Sequence, residues 1–255
     1  MNKITRTFLL DNLKNVVTII YFIMIALLSW STLALEANEA KSTMTVMNIL
    51  LFIVPLMALL YSSIYIYNSR EFLILLLCQP LKRSRIWDSL FCGVTGSLVV
   101  AFFLGAGIPI LIYHPDIVGI TLVLSGIAIT LIFSAIAFFT TIITTDKTKG
   151  VGVAILIWLL FTIVYDGLCL FLLFSLSDYP INNVIMGILM INPLDITRFL
   201  SVISLEQDAM MGFSGAAFKA FFGQSLGIAI SAILLLLWIA LPYYFSRRIF
   251  NKKDL

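Results

Sequence analysis

The stretch Val118–Thr144, VGITLVLSGIAITLIFSAIAFFTTIIT, decides the fold, because it carries no charge and no polar group larger than a hydroxyl. A helix rises ~1.5 Å per residue, so about 20 apolar residues cross the ~30 Å hydrocarbon layer of a bilayer. This run is long enough to do so. Its apolar residues are continuous, whereas a barrel strand would alternate in short segments, so the run is read as a spanning helix.

Outward from it the same pattern repeats. Upstream lie Val16–Leu35, Val46–Tyr67 and Leu90–Tyr113, and downstream lie Val151–Phe174 and Gln224–Phe245. The expectation is an all-α polytopic membrane protein with six transmembrane helices over 16–35, 46–67, 90–113, 118–144, 151–174 and 224–245. Pro55 and Pro109 fall inside these runs and Pro242 near the end of one. Neighbouring helices can satisfy the backbone carbonyl that each proline frees. Composition agrees: 61% of residues are hydrophobic and 11% charged, and the mean hydropathy is +1.09. A soluble domain is nearer half apolar and a quarter charged.

The basic residues set the expected orientation. With the N-terminus inside, the cytoplasmic segments hold Lys3, Arg6, Lys14, Arg70, Lys82, Arg83, Arg85, Lys147, Lys149, Arg247, Arg248, Lys252 and Lys253. Only Lys41, Arg198 and Lys219 remain outside. Removing or adding one span spoils that split. The net charge of +3 therefore records topology, and no nucleic-acid partner is inferred. The first apolar run is too long for a signal-peptide core and reads as a retained signal anchor. Residues 2–14 place Ile4, Phe8 and Leu9 on one helical face and Lys3, Arg6 and Lys14 elsewhere, which suits an interfacial helix on membrane lipids.

Little catalytic chemistry is present. No glycine-rich phosphate loop ending in Lys-Ser or Lys-Thr occurs. The one histidine, His114, sits at a turn, and the three cysteines, Cys78, Cys92 and Cys169, suggest neither a disulfide framework nor a zinc site. No catalytic residue and no resident metal are expected. The nine methionines invite a copper path, since thioethers suit Cu(I). Packing explains most of them, and the pair Met210-Met211 is the one placed outside the spans. Asp166 is the carboxylate deepest inside an apolar run. At such a depth it is a functional candidate, unless an aqueous vestibule or a buried partner satisfies it.

The loops are short apart from 68–89 and 175–223, and no separate soluble domain is evident. The first of these reads Ser69-Arg70-Glu71-Phe72, then Leu75-Leu76-Leu77-Cys78-Gln79-Pro80-Leu81, then Lys82-Arg83-Ser84-Arg85. This segment resembles the ABC-2 type permeases, the membrane subunits of bacterial ABC transporters, which carry Glu, a Leu-rich stretch and Pro-hydrophobic-basic between spans two and three. The resemblance extends to the whole plan of the chain. It implies an ABC-2 type (type V exporter-like) permease fold in the bacterial inner membrane, with both termini cytoplasmic. It also implies a coupling helix between spans two and three that docks on a separate ATPase, with Glu71, Leu75, Gln79, Pro80, Leu81 and Arg83 as contacts. Many members have Gly soon after the Glu, whereas Phe72-Leu73 follow here. A short amphipathic helix with an acidic residue and a Pro-terminated end can act as a rigid lever in a groove.

Within that family, Tyr165-Asp166-Gly167, Asn192-Pro193-Leu194-Asp195-Ile196-Thr197-Arg198-Phe199, Gly212-Phe213-Ser214-Gly215-Ala216 and Phe221-Phe222-Gly223 look most like the permeases of nitrous oxide reductase maturation. That subgroup implies a homodimer, two cytoplasmic ABC ATPase subunits and a periplasmic copper-handling protein. No cofactor is then bound by this chain; ATP and Mg belong to the ATPase, and copper to the periplasmic partner. Asn192, Pro193, Asp195, Arg198, Met210 and Met211 become candidate partner contacts. Asn before Pro with an acid in the first turn is also a helix-start pattern. The alternative within the family is an exporter of a lipid, peptide or drug. An intramembrane enzyme would need paired acids or clustered ligands within the spans, and a secondary carrier would work without an ATPase.

Overall fold

The computed structural model describes residues 3–36, 38–175, 187–204 and 225–252. Every regular element among them is helical, and no strand occurs in the described residues. Six helices are long and apolar enough to span a bilayer: Val16–Leu35, Glu39–Asn68, Arg83–Tyr113, Ile117–Ile143, Lys147–Leu172 and Gly227–Lys252. The protein is an all-α polytopic membrane protein.

In chain order, α1 is Lys3–Leu13, α2 Val16–Leu35, α3 Glu39–Asn68 and α4 Arg70–Leu77. α5 (Arg83–Phe102) continues through a wide π-helical turn, Phe103–Gly107, into α6 (Ile108–Tyr113). α7 is Ile117–Ile143. α8 (Lys147–Leu159) passes through a second wide turn, Leu160–Val164, into α9 (Tyr165–Ser175). α10 is Pro193–Ser204 and α11 is Ser225–Lys252.

The helix starts follow from local chemistry. A helix leaves its first N–H groups without acceptors, and a short Asn or Asp side chain supplies one. Asn15 accepts from Val17, Asn38 from Ala40 and Lys41, Asp116 from Gly119, and Asp146 from Thr148, at 2.9–3.3 Å. Asn38 explains why α3 begins at Glu39, well before the apolar run that starts at Val46. The helix is longer than the apolar stretch and its polar first turns are partly exposed.

α3, α5 and α7 form the centre of the bundle, with most of their apolar windows buried, whereas α8, α9 and α11 present most of theirs outward. Leu124, Leu156 and Leu236 are among the exposed apolar side chains, as a bilayer-facing surface requires. The polar groups inside are mainly hydroxyls that bond one another or a nearby carbonyl, such as Ser62 to Ser134 at 3.4 Å. The turn His114–Asp116 is tied to α3 by His114 Nε2 and Thr43 Oγ1, 3.0 Å apart.

α1 packs on protein as well as fringing the bundle. Phe8 is buried against α5, where a Cβ on Gly93 would lie 2.4 Å from Phe8 Cβ. Thr5 donates to Ser89 at 3.1 Å, Asn12 accepts from the Tyr61 hydroxyl at 2.5 Å, and Asp11 from that of Tyr65 at 2.9 Å. Both chain ends therefore meet at one end of the bundle, since Phe250 of α11 stacks on Trp87 of α5 at 4.3 Å.

Candidate functional site

Two polar constellations stand out, one at each end of the bundle. At the end that carries the termini, Ser69 separates α3 from α4 and serves as cap to both. α4 is amphipathic. Leu73 and Leu76 are buried on the bundle, while Glu71, Phe72, Ile74 and Leu75 are exposed. The helix stops at Leu77; Pro80, three residues on, lacks the N–H that a further turn requires. Gln79, Pro80 and Arg83 are exposed, and Leu81 packs partly against the core.

This shelf is fixed to the α7–α8 turn. The Tyr67 hydroxyl lies 2.5 Å from Thr144 Oγ1 and donates to Thr144 O at 3.1 Å. Arg70 Nη1 donates to Thr145 O at 3.0 Å, and Lys147 Nζ to Asn68 Oδ1 at 2.8 Å. Gly150 makes the approach possible, because a Cβ there would stand 1.9 Å from the Tyr67 hydroxyl. Phe72 meets Phe8 edge-on at 5.8 Å, which links α4 to α1. An outward apolar face held from beneath by three neighbouring elements can receive a push without folding away.

At the far end, Asp166 on α9 is not isolated. Arg198 Nη2 lies 3.0 Å from Asp166 Oδ2, and Arg198 Nη1 lies 3.4 Å from Asp195 Oδ1. Asn192 caps α10 by accepting from Leu194 N at 3.1 Å. Its amide donates to Asp195 Oδ2 and to Phe161 O, each at 3.0 Å. That carbonyl is available because Tyr165 N–H bonds Leu160 O across the wide turn, leaving Phe161 O without its ordinary donor. The Tyr165 hydroxyl donates to Ile188 O, and Trp238 Nε1 donates to Ile191 O at 3.1 Å. α10 is thereby bound to α9 and α11.

Burial pushes the Asp195 carboxyl up to about 7, and the nearby Asp166 carboxylate adds to the rise while Arg198 opposes it. Two acids share one guanidinium, so a proton on Asp195 leaves a balanced Asp166–Arg198 pair.

The sequence places Asp166 alone and Asp195 with Arg198, and the fold brings all three together. Asn192, Pro193 and Asp195 are buried, Asp195 to 1% exposure, whereas the Arg198 side chain is 35% exposed. Arg198 is the member of this set that a second protein could touch. Met210 and Met211 lie outside the described residues, as do Gly212–Ala216 and Phe221–Gly223. No group of three metal-ligating His, Cys, Asp or Glu occurs among the described residues.

Sequence reading misses a further cluster at the termini end. Arg247 Nη2 pairs with Asp88 Oδ2 at 2.8 Å, and the Tyr243 hydroxyl donates to Asp88 Oδ1 at 2.5 Å. The available signal was an acid in the first turns of one span and an arginine in the last turns of another, which an even number of crossings brings to one level.

No family model matches the chain. The chain is 28% identical over 217 residues to the "Probable ABC transporter permease protein NosY" of Stutzerimonas stutzeri, across 79% of this chain and 76% of that protein. It is 25% identical over 205 residues to the protein of the same name from Pseudomonas aeruginosa, across 76% of this chain and 71% of that one.

Proposed function

We propose that this chain is the membrane permease subunit of an ABC system and that α4 is its coupling helix. The observation that carries the reading is α4 itself. Its Leu73 and Leu76 are buried, its Glu71, Phe72 and Leu75 face outward, and its base is tied to α3, α7 and α8. Such a helix suits a groove on a separate ATPase. The similarity to NosY permeases supports the same assignment.

In this reading the termini end faces the cytoplasm, where most of the basic residues lie. Two ATPase subunits act on a homodimer of the chain, and the bundle transmits their closure to the opposite side. The far-end triad stiffens α9 and α10 so that the motion reaches the outer surface. Arg198 and the segment beyond Ser204 then meet a periplasmic copper-handling protein, in service of the copper centre of nitrous oxide reductase. The protein itself catalyses no reaction.

The test is affinity purification of the full-length chain from its native membrane. An ABC ATPase should co-purify with the natural chain and be lost with Glu71→Ala plus Leu75→Ala. Unchanged association and unchanged ATPase activity would refute the role of α4. A deletion strain should produce nitrous oxide reductase lacking copper, and a fully metallated enzyme would remove the copper branch. An exporter of a lipid, peptide or drug is the second reading. It is favoured by an apolar cavity of about 600 Å³ between α7, α10 and α11, lined by Leu124, Leu131, Leu200, Leu235 and Leu236.

A further inference from the structure

The Asp88–Arg247 pair borders a separate recess of about 450 Å³, between α1, the first turns of α5 and the last turns of α11. Thr5, Lys82, Ser84, Arg85, Asp88 and Arg247 line it. Three cations thus face one carboxylate. That carboxylate is already engaged, Oδ2 by Arg247 and Oδ1 by the Tyr243 hydroxyl. Arg247 Nε is buried without an acceptor. Among the described residues, neither Lys82 nor Arg85 has an ion-pair partner. α5 is also a span whose N-cap residue, Lys82, offers its first N–H groups no side-chain acceptor. The recess therefore holds a surplus of donors and positive charge that a group with several anionic oxygens would satisfy.

Its position identifies the source of such a group. Arg85, Cys92 and Gly96 recur at spacings that keep them on one face of a 3.6-residue helix. Cys92 lines the recess and is exposed on that face, so the recess opens along α5 toward the bilayer. Basic pockets between helices at the membrane surface are suited to phospholipid head groups.

We propose that the recess binds the phosphate head group of an anionic phospholipid, with an acyl chain entering the bilayer along α5 past Cys92. Asp88 keeps Arg247 extended over the recess, and Lys82 and Arg85 supply the uncompensated charge. The site requires only that the chain sits in a membrane, and it stands whether or not α4 engages an ATPase.

Native mass spectrometry of the full-length chain in detergent tests this, with phosphatidylglycerol, phosphatidylcholine and inorganic phosphate as probes. Phosphatidylglycerol should bind at least about tenfold more tightly than phosphatidylcholine, and Lys82→Gln with Arg85→Gln should remove about that preference. Lys14→Gln with Arg248→Gln removes the same charge from exposed positions outside the recess and should leave binding within about twofold. Arg85→Lys alone should retain most of the preference. Size-exclusion elution and thermal midpoint, read on each variant, separate a lost site from a lost fold; both exposed cations should be replaceable without a change in either. Equal binding of the two lipids, undiminished binding by the recess variant, or equal loss in the control variant would overturn the site. Displacement of phosphatidylglycerol by millimolar inorganic phosphate would overturn the lipid as the occupant.

Discussion

Arg198 reaches across 32 positions of sequence to place its Nη2 3.0 Å from Asp166 Oδ2, joining a membrane-embedded helix to a helix outside the spans. The same guanidinium faces Asp195, so one cation serves two acids.

Removing that cation should loosen the far end. Arg198→Gln leaves Asp166 and Asp195 facing each other, and the partial exposure of the Asp166 side chain limits the cost to about 1–2 kcal/mol. A lowered thermal midpoint in detergent is the expected readout. Asp166→Asn with Arg198→Gln should be milder than the sum of the single changes, because it removes a charge from each side of one pair.

Stability should depend on pH through Asp195. Its folded pKa is raised to about 7 against ~3.9 in an unfolded chain, so between those values the native state binds more protons. Stability from this group should therefore fall as pH rises from about 4 toward 7 and level off above. Asp195→Asn should flatten the slope in that window, as measured by chemical unfolding at pH 5, 6, 7 and 8. A slope unchanged by the substitution would assign the dependence to other groups.

Gly150 and Gly152 give an internal contrast. Gly150→Ala forces Tyr67 away from Thr144 and should cost about 1–3 kcal/mol. A Cβ at Gly152 meets nothing within 4 Å, so Gly152→Ala should be neutral or stabilise α8 by up to about 1 kcal/mol. Thermal midpoints of the two variants decide it.

The two faces of α4 should separate cleanly by mutation. Leu73→Ala and Leu76→Ala create voids under the helix and should each cost about 2–3 kcal/mol. Leu75→Ala, on the exposed face, should leave the midpoint of the isolated chain within about 0.5 kcal/mol and weaken ATPase capture.

The spans were legible because bilayer solvation imposes continuous apolar runs such as Val118–Thr144, and no distant contact is needed to see one. Long-range pairing was not legible. Asp166 looks solitary in sequence because its partner, Arg198, lies 32 positions away. Asp195 and Arg198 suggest an outward patch when read along the helix alone. The contacts made by α9 turn Asp195 inward and leave Arg198 partly exposed. Asp88 falls inside the 68–89 segment by hydropathy, whereas in the fold it lies on α5 and meets Arg247 and Tyr243.

The wide turn at Leu160–Val164 has a consequence for register. Such a turn houses one residue more than regular winding, and one residue is about 100° of rotation. Winding the same residues as regular helix would swing Asp166 and Cys169 about a quarter of the way around α9, away from Arg198, while α8 kept its seat on Tyr67. The turn decouples the angular setting of the two halves of the span. Each half can meet its own neighbours without compromising the other.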